Sequence, residues 1–209
     1  MQGYARAVLK DHSHIIPNDA VEALKRIERA AHRLDLLVCD ILSFSKVAKA
    51  DVELKPITLE PLLFDILEQH SELRASRNHI SVETPLHSVL GHEAYLSQCL
   101  TNLLENALKF TEPGAAPAVR VGSEPAGNMI RINVTDHGIG IAPEHHDRIF
   151  QIFGRVYSEK RYPGTGIGLA IVKKAVHRMG GEAGFESQPG KGTTFWFTLR
   201  QCANGTNGH

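Results

Sequence analysis

Asn102-Leu-Leu-Glu-Asn106-Ala-Leu-Lys109-Phe110 is the stretch on which the reading of this chain turns. Asn102 and Asn106 are four residues apart and Lys109 is three further on, so on a helix of about 3.6 residues per turn they share one face. Leu100, Leu103, Leu104 and Ala107 supply apolar positions for packing, and a helix is expected over Glu93–Phe110. A carboxamide oxygen is a neutral hard ligand suited to Mg²⁺, which keeps its waters and bridges to phosphates. An ammonium beside it meets phosphate oxygens as a point charge. Taken alone, the helix fits a solvated polar face equally well.

Downstream, Asp136-His-Gly138-Ile-Gly140-Ile141 comes directly after an expected strand, Met129–Asp136. A carboxylate at a strand end, followed by alternating glycines, sits where the backbone can approach a ligand closely. Such a carboxylate can accept a hydrogen bond from an exocyclic amine such as that of adenine. DxGxG alone occurs in many turns. Gly164-Thr165-Gly166-Ile167-Gly168-Leu169 then opens a helix expected over Ile167–Met179 and closed by Gly180-Gly181. Backbone amides at a helix start, with glycines allowing close approach, form a phosphate site. GxxxxGK[ST] is absent, so this is not a P-loop. The acidic residue of a dinucleotide-binding unit is also missing, since Glu186, at about the right distance, falls in a turn-rich hairpin. Gly190-Lys-Gly192-Thr193-Thr194 precedes the closing strand and can support the adenine end.

Around these boxes the pattern is mixed. A helix is expected over Leu59–Ser76, short strands over Ile80–Glu83 and Val119–Gly122, and a turn at Pro125–Asn128. Ala183–Glu186 and Thr194–Leu199 read as a final hairpin, residues 201–209 as a disordered tail, and 51–57, with Pro56, as a junction. Before the junction, Pro17-Asn18-Asp19 interrupts helical sequence, and Asn18 or Asp19 can cap the long helix that begins there. That helix carries two adjacent stripes. One is Leu24, Ile27, Ala31, Leu34, Val38, Ile41, Ser45 and Ala48; the other runs from Ala23 through Leu37 to Phe44. So wide an apolar face suits a helical hairpin that pairs into a four-helix bundle; the other reading is a helix packed on its own domain.

Composition narrows the function classes. Lys+Arg and Asp+Glu are equal at 23 each, which argues against broad electrostatic binding to nucleic acid or a membrane surface. No uncharged run reaches the roughly 18 residues of a membrane helix. Cys39, Cys99 and Cys202 are scattered without CxxC spacing and read as reduced thiols. His12 and His14 lack the partners of a metal site.

In this order the boxes resemble the ATP-binding catalytic domain of sensor histidine kinases, within the superfamily that includes gyrase, heat-shock chaperones and mismatch-repair ATPases. Residues 102–110 look like the N box, Asp136–Ile141 the first glycine box, and Phe150-Gln-Ile-Phe153 the F box. GTGIGLAIVKK looks like the second glycine box and GKGTTFWFTL the terminal one. The likeness covers residues 56–200. The helix at 18–48, with Leu-Leu-Val-Cys-Asp-Ile-Leu-Ser-Phe-Ser-Lys, resembles the second helix of that family's dimerisation and phosphotransfer domain.

The resemblance implies a two-layer α/β (α+β) sandwich of Bergerat type, a mixed sheet on three helices, preceded by an α-helical hairpin at 1–52. It implies ATP and Mg²⁺, with Asn106 on the metal, Asn102 supporting the metal-phosphate end and Lys109 on phosphate. Asp136 would bind the adenine amine, with Gly140 and Thr193 near the base, and Phe110, Gly138 and Ile141 would be further ATP-binding residues. Residues 142–163 would form a mobile lid carrying Phe153, with Arg155 able to reach the γ-phosphate. Gly164, Thr165, Gly166, Ile167, Gly168 and Leu169 would wrap the phosphates. It further implies a cytoplasmic homodimer joined through the 18–48 helix and a response-regulator receiver domain as partner.

Two departures shape the expected activity. Hydrolases of the superfamily place a Glu one turn before the metal-binding Asn. That position here is Asn102, which has no useful basicity and favours transfer to a histidine. Glu105 lies about 100° away around the helix. The family's acceptor segment, a His followed by an acidic residue, Arg and then Pro, does not occur. Ser13-His14-Ile-Ile-Pro17 lacks the acidic neighbour, has its Pro three residues on, and falls in the expected turn. The expectation is a kinase fragment with a shortened hairpin, unable to phosphorylate itself alone. The alternatives are a non-catalytic relative and a true ATPase.

Overall fold

A computed structural model describes residues 2–12, 14–49, 53–154, 156, 162 and 164–202. Two compact units emerge, Met1–Ser43 and Phe44–His209.

The first unit holds α1 (Gln2–His12) and most of α2 (Asn18–Lys49). The turn between them is closed by the amides of Ile15 and Ile16, which donate to the His12 carbonyl. Asp19 lies inside the first turn of α2, where its carboxylate takes the Ala20 N–H at 2.9 Å. Along α2 the expected stripe is open to solvent: Ile27, Leu34, Val38 and Ile41 are 47–60% exposed.

The second unit is a sheet on helices. Its five strands run β2 (Ile80–Val82), β4 (Val119–Ala126), β5 (Met129–Asp136), β7 (Gly192–Arg200), β6 (Ala183–Gln188). β2 pairs parallel with β4 and the rest are antiparallel, so the sheet is mixed as expected. Period-2 alternation sends Ile130, Ile132 and Val134 of β5, and Phe195, Phe197 and Leu199 of β7, to the buried face. There they meet α3 (Leu59–Gln69), α5 (Glu93–Lys109) and α6 (Gly168–Arg178), whose Leu63, Ile66, Leu100, Leu104, Val172 and Val176 complete one core. On the open face Arg131 stacks over Trp196 at 4.6 Å and pairs with Glu186 at 2.5 Å.

Four expectations need correction. The helix expected over Leu59–Ser76 breaks at His70, which is extended (φ −91°, ψ 112°), and a one-turn α4 (Ser71–Ala75) follows. The break turns Leu73 into the core, where it is fully buried. The junction around Pro56 is in part a strand: β1 (Lys55–Thr58) pairs antiparallel with β3 (Ser88–Gly91). β4 runs on to Ala126, so the hairpin turn is Gly127-Asn128 alone. Pro125 is tolerated because β2 covers only Val119–Val121, leaving no ladder partner to miss its N–H. Gln201 and Cys202, expected in the tail, are tied down, Gln201 donating to the Asn128 carbonyl and Cys202 to that of Ser88, while residues 203–209 lie outside the described residues.

Candidate functional site

Asp136 is the next inward position of β5 after Ile130, Ile132 and Val134, so strand geometry alone carries a carboxylate into the buried layer. Its Oδ1 accepts the N–H of Gly138 at 2.8 Å and of Thr193 at 3.2 Å. Burial pushes its carboxyl up from 3.8 to about 6, against those two N–H bonds, which pull the other way.

The loop after Asp136 is held by close backbone packing. Ile139 donates to the Phe110 carbonyl and Gly190 to the Ile139 carbonyl. A Cβ on Gly138 would strike the Phe110 carbonyl, and one on Gly140, at φ +67°, would strike the Gln188 carbonyl. Glycine is therefore dictated at both positions. Ile141 donates to Ser187 Oγ at 2.8 Å, and Ser187 also bonds Thr193 Oγ1 at 2.9 Å and the Gly192 carbonyl at 3.0 Å.

α5 faces this loop and the start of α6 together. Its core side is Leu96, Leu100, Leu103, Leu104 and Ala107, which leaves Asn102, Asn106 and Lys109 half-buried along its margin. A Cβ on Gly168 would lie 2.9 Å from Asn102 Oδ1, and one on Gly164 would lie 2.5 Å from Lys109 Nζ. The second glycine box thus passes directly over the amide–ammonium row. Among the described residues Asn102 Nδ2 is buried with no hydrogen-bond partner, an arrangement that costs about 1–3 kcal/mol unless something accepts from it. The α6 N-terminus, with its orphan amides, opens on the same side.

The structure thus gathers Asn102, Lys109, Phe110, Asp136, Gly138, Gly140, Ile141, Gly164, Gly168 and Thr193 around one end of the sheet. Asn106 lies one turn from Asn102 on the same margin. Thr165 Oγ1 takes the Ile167 N–H at 3.3 Å, and Leu169 packs on the core. Ile167 is buried. Phe153 holds φ +63° and its N–H donates to the Gly166 carbonyl, yet the residue is 57% exposed. Of the expected lid, residues 142–154, 156 and 162 are described; Arg155, residues 157–161 and residue 163 lie outside the described residues. Glu105 is exposed, on another side of the helix from Asn102. Among the described residues no cluster of three His, Cys, Asp or Glu could hold a metal ion, so a cation here would rest on carboxamide and phosphate oxygens.

Two contributors escaped the sequence reading. Ser187 carried no signal beyond being a hydroxyl near the terminal box. Tyr162 is 6% exposed; its hydroxyl donates to the Thr111 carbonyl at 3.2 Å, and its ring lies 5.2 Å from that of Phe110.

Residues 91–202 match the family described as Histidine kinase-, DNA gyrase B-, and HSP90-like ATPase. Sensor histidine kinase AruS of Pseudomonas aeruginosa is 37% identical over 85% of this chain and 19% of its own length. Signal transduction histidine-protein kinase BarA of Escherichia coli is 35% identical over 97% of this chain and 23% of its own. The chain therefore spans about a fifth of the length of these relatives. Among solved structures, full-length ShkA in complex with AMPPNP superposes with a TM-score of 0.67 at 32% identity, over 97% of this chain and 43% of that one. No described helix is long and apolar enough to cross a membrane.

Proposed function

The chain belongs to the histidine kinase-, DNA gyrase B-, and HSP90-like ATPase family, and from that premise we propose that it is the ATP-binding catalytic part of a sensor histidine kinase. It passes the ATP γ-phosphate to a histidine for relay to a response-regulator aspartate. The observation that carries this reading is the meeting of the second glycine box with Asn102 and Lys109, beside a buried Asp136 whose Oδ2 takes no bond from a described residue. The kinase names of the relatives and the AMPPNP bound to ShkA support it.

In this proposal Asp136 accepts the adenine amine, with Thr193, Gly140 and Ile141 framing the base. Lys109 meets phosphate as a point charge. Asn102 Nδ2, which has no partner among the described residues, donates to a phosphate oxygen, and the α6 N-terminus adds its amides. Asn106 holds Mg²⁺, which when bound neutralises charge on the phosphates. No carboxylate stands at position 102 to activate water, which supports phosphoryl transfer over hydrolysis. The sequence contains no acceptor segment, so the target histidine is supplied from outside these residues. The domain assignment is residues 1–52 for the dimerisation hairpin and 56–200 for the catalytic domain. The exposed Ile27, Leu34, Val38 and Ile41 pair with a second copy.

Calorimetry with AMP-PNP and Mg²⁺ tests the pocket: saturable binding is expected, and none would sink the kinase reading. Incubating the chain with radiolabelled ATP should leave no acid-labile phosphohistidine and release phosphate no faster than background. Labelling of His14 would overturn the external-acceptor reading. Steady hydrolysis abolished by Glu105→Gln would favour an ATPase.

A further inference from the structure

We propose that Tyr162 is a positioning residue that fixes the Lys109 ammonium through the ring of Phe110. The proposal rests on Lys109 as the phosphate contact of the pocket described above. Lys109 is the last residue of α5, and its Nζ stands 4.6 Å from the centroid of the next residue's ring. That ring belongs to the helix-capping residue, where a side chain would ordinarily turn with its rotamers. Here it is held. The Phe110 backbone is fixed on one side by the glycine loop: its N–H donates to Asn106, its carbonyl accepts from Ile139, and Gly138 lies against that carbonyl. On the other side the Tyr162 ring packs against the Phe110 ring at 5.2 Å and 46°, a tilted arrangement that favours aromatic pairs.

Tyr162 is itself anchored. It is 6% exposed and its hydroxyl donates to the Thr111 carbonyl, one residue beyond the ring it supports. Gly164, two residues later, brings bare backbone to Lys109, where a Cβ would stand 2.5 Å from Nζ. The ammonium thus lies between an immobilised aromatic face and a glycine that leaves it room. A lysine has a long flexible stem, and a fixed ring beneath its charge restricts where that charge points. Tyr162 acts through the Phe110 ring and the Thr111 carbonyl, and in this reading it does not meet the nucleotide. Its effect is confined to the ligand that needs the ammonium.

The test compares AMP-PNP with Mg²⁺ against adenosine, by calorimetry on the whole chain. Tyr162→Leu should weaken AMP-PNP about 3- to 10-fold, the scale of one cation–π contact, and change adenosine affinity less than about 2-fold. Tyr162→Phe, which keeps the ring, should recover most of the loss. Phe110→Leu should show the same selective loss, and the double variant should be no worse than either single one, since all act on one ammonium. This cycle also keeps the idea exposed if Tyr162→Leu is poorly folded, because Tyr162→Phe and Phe110→Leu still have to differ in the stated direction. Equal weakening of both ligands, additive losses, or Tyr162→Phe as impaired as Tyr162→Leu would overturn the assignment. Wild-type chain that binds adenosine and AMP-PNP equally would instead remove Lys109 from the phosphate site, and the proposal with it.

Discussion

Asp136 and Thr193 face each other across the β5–β7 ladder, and the Thr193 N–H donates to Asp136 Oδ1 at 3.2 Å. Both are inward positions on their strands, so one pairing buries a carboxylate and orients it through a residue of the terminal glycine box. The Gly138 N–H falls on the same oxygen, which leaves Oδ2 to meet a ligand. The burial that makes Asp136 a selective reader of an amine also strains the empty pocket.

Asp136→Asn should therefore separate stability from binding. A rise from 3.8 to about 6 corresponds to roughly 3 kcal/mol against the ionised form at neutral pH, an upper bound for the gain on neutralising it. The variant is expected to unfold about 1–3 kcal/mol later in denaturant at pH 7 while losing adenosine binding. Equal stability of the two proteins would show that the carboxylate is not strained.

The same group sets two opposite pH trends. Its folded value, about 6, lies above its ordinary 3.8, so its stabilising contribution is fully present below pH 3.8 and is lost as pH rises through 6. The stability gap between Asp136→Asn and wild type should widen from pH 4 to pH 7. Amine recognition needs the carboxylate, so adenosine affinity should fall as pH drops through 6, by up to about tenfold per pH unit. Adenosine is the proper probe, because it has no phosphate to titrate in that range.

Gly140→Ala should be among the most damaging single-methyl changes in the chain. Its φ of +67° costs a side chain about 1–2 kcal/mol, and its Cβ would meet the Gln188 backbone. Thermal melts should show a loss greater than about 2 kcal/mol, with nucleotide binding gone. Gly114→Ala is the control: φ is +86° but nothing lies within 4 Å, so only the backbone term applies.

The features legible in the sequence are the local ones. The margin of α5 is set by spacing within one helix, and Asp136 with its glycines by strand alternation followed by conformations only glycine adopts. The β1–β3 sheet was hidden because its strands are four residues long and one contains Pro56, so only pairing across the fold defines it. The break at His70 was hidden because apolar spacing continues through it, and only the placing of Leu73 reveals the kink. Ser187 and Tyr162 act through bonds 46 and 51 residues away in sequence, to Ile141 and Thr111, which no window of local pattern could join.

Metal removal should act through Asn106 alone. With EDTA, wild-type affinity for AMP-PNP should fall by about tenfold or more, the scale of one lost phosphate-bridging cation. Asn106→Ala should show that lower affinity with Mg²⁺ present and no further response to EDTA. Adenosine binding should be indifferent to both. A variant that still responds to EDTA would move the cation off Asn106.

Ser187→Ala tests how the two glycine boxes are joined. Ser187 Oγ accepts the Ile141 N–H, donates to the Gly192 carbonyl and meets Thr193 Oγ1. A hydroxyl has one proton, so if it is given to Gly192, Thr193 must donate to Ser187; one side chain then closes the Asp136 loop onto the strand that orients Asp136. Removing it orphans the Ile141 N–H and loosens Thr193, whose own N–H holds Asp136 Oδ1. A loss of about 1–2 kcal/mol in unfolding free energy is expected. Adenosine affinity should fall with it, while the ratio of AMP-PNP to adenosine affinity stays constant, because the phosphate side of the pocket is built by α5 and α6. A change confined to AMP-PNP would place Ser187 with the phosphates and contradict the geometry.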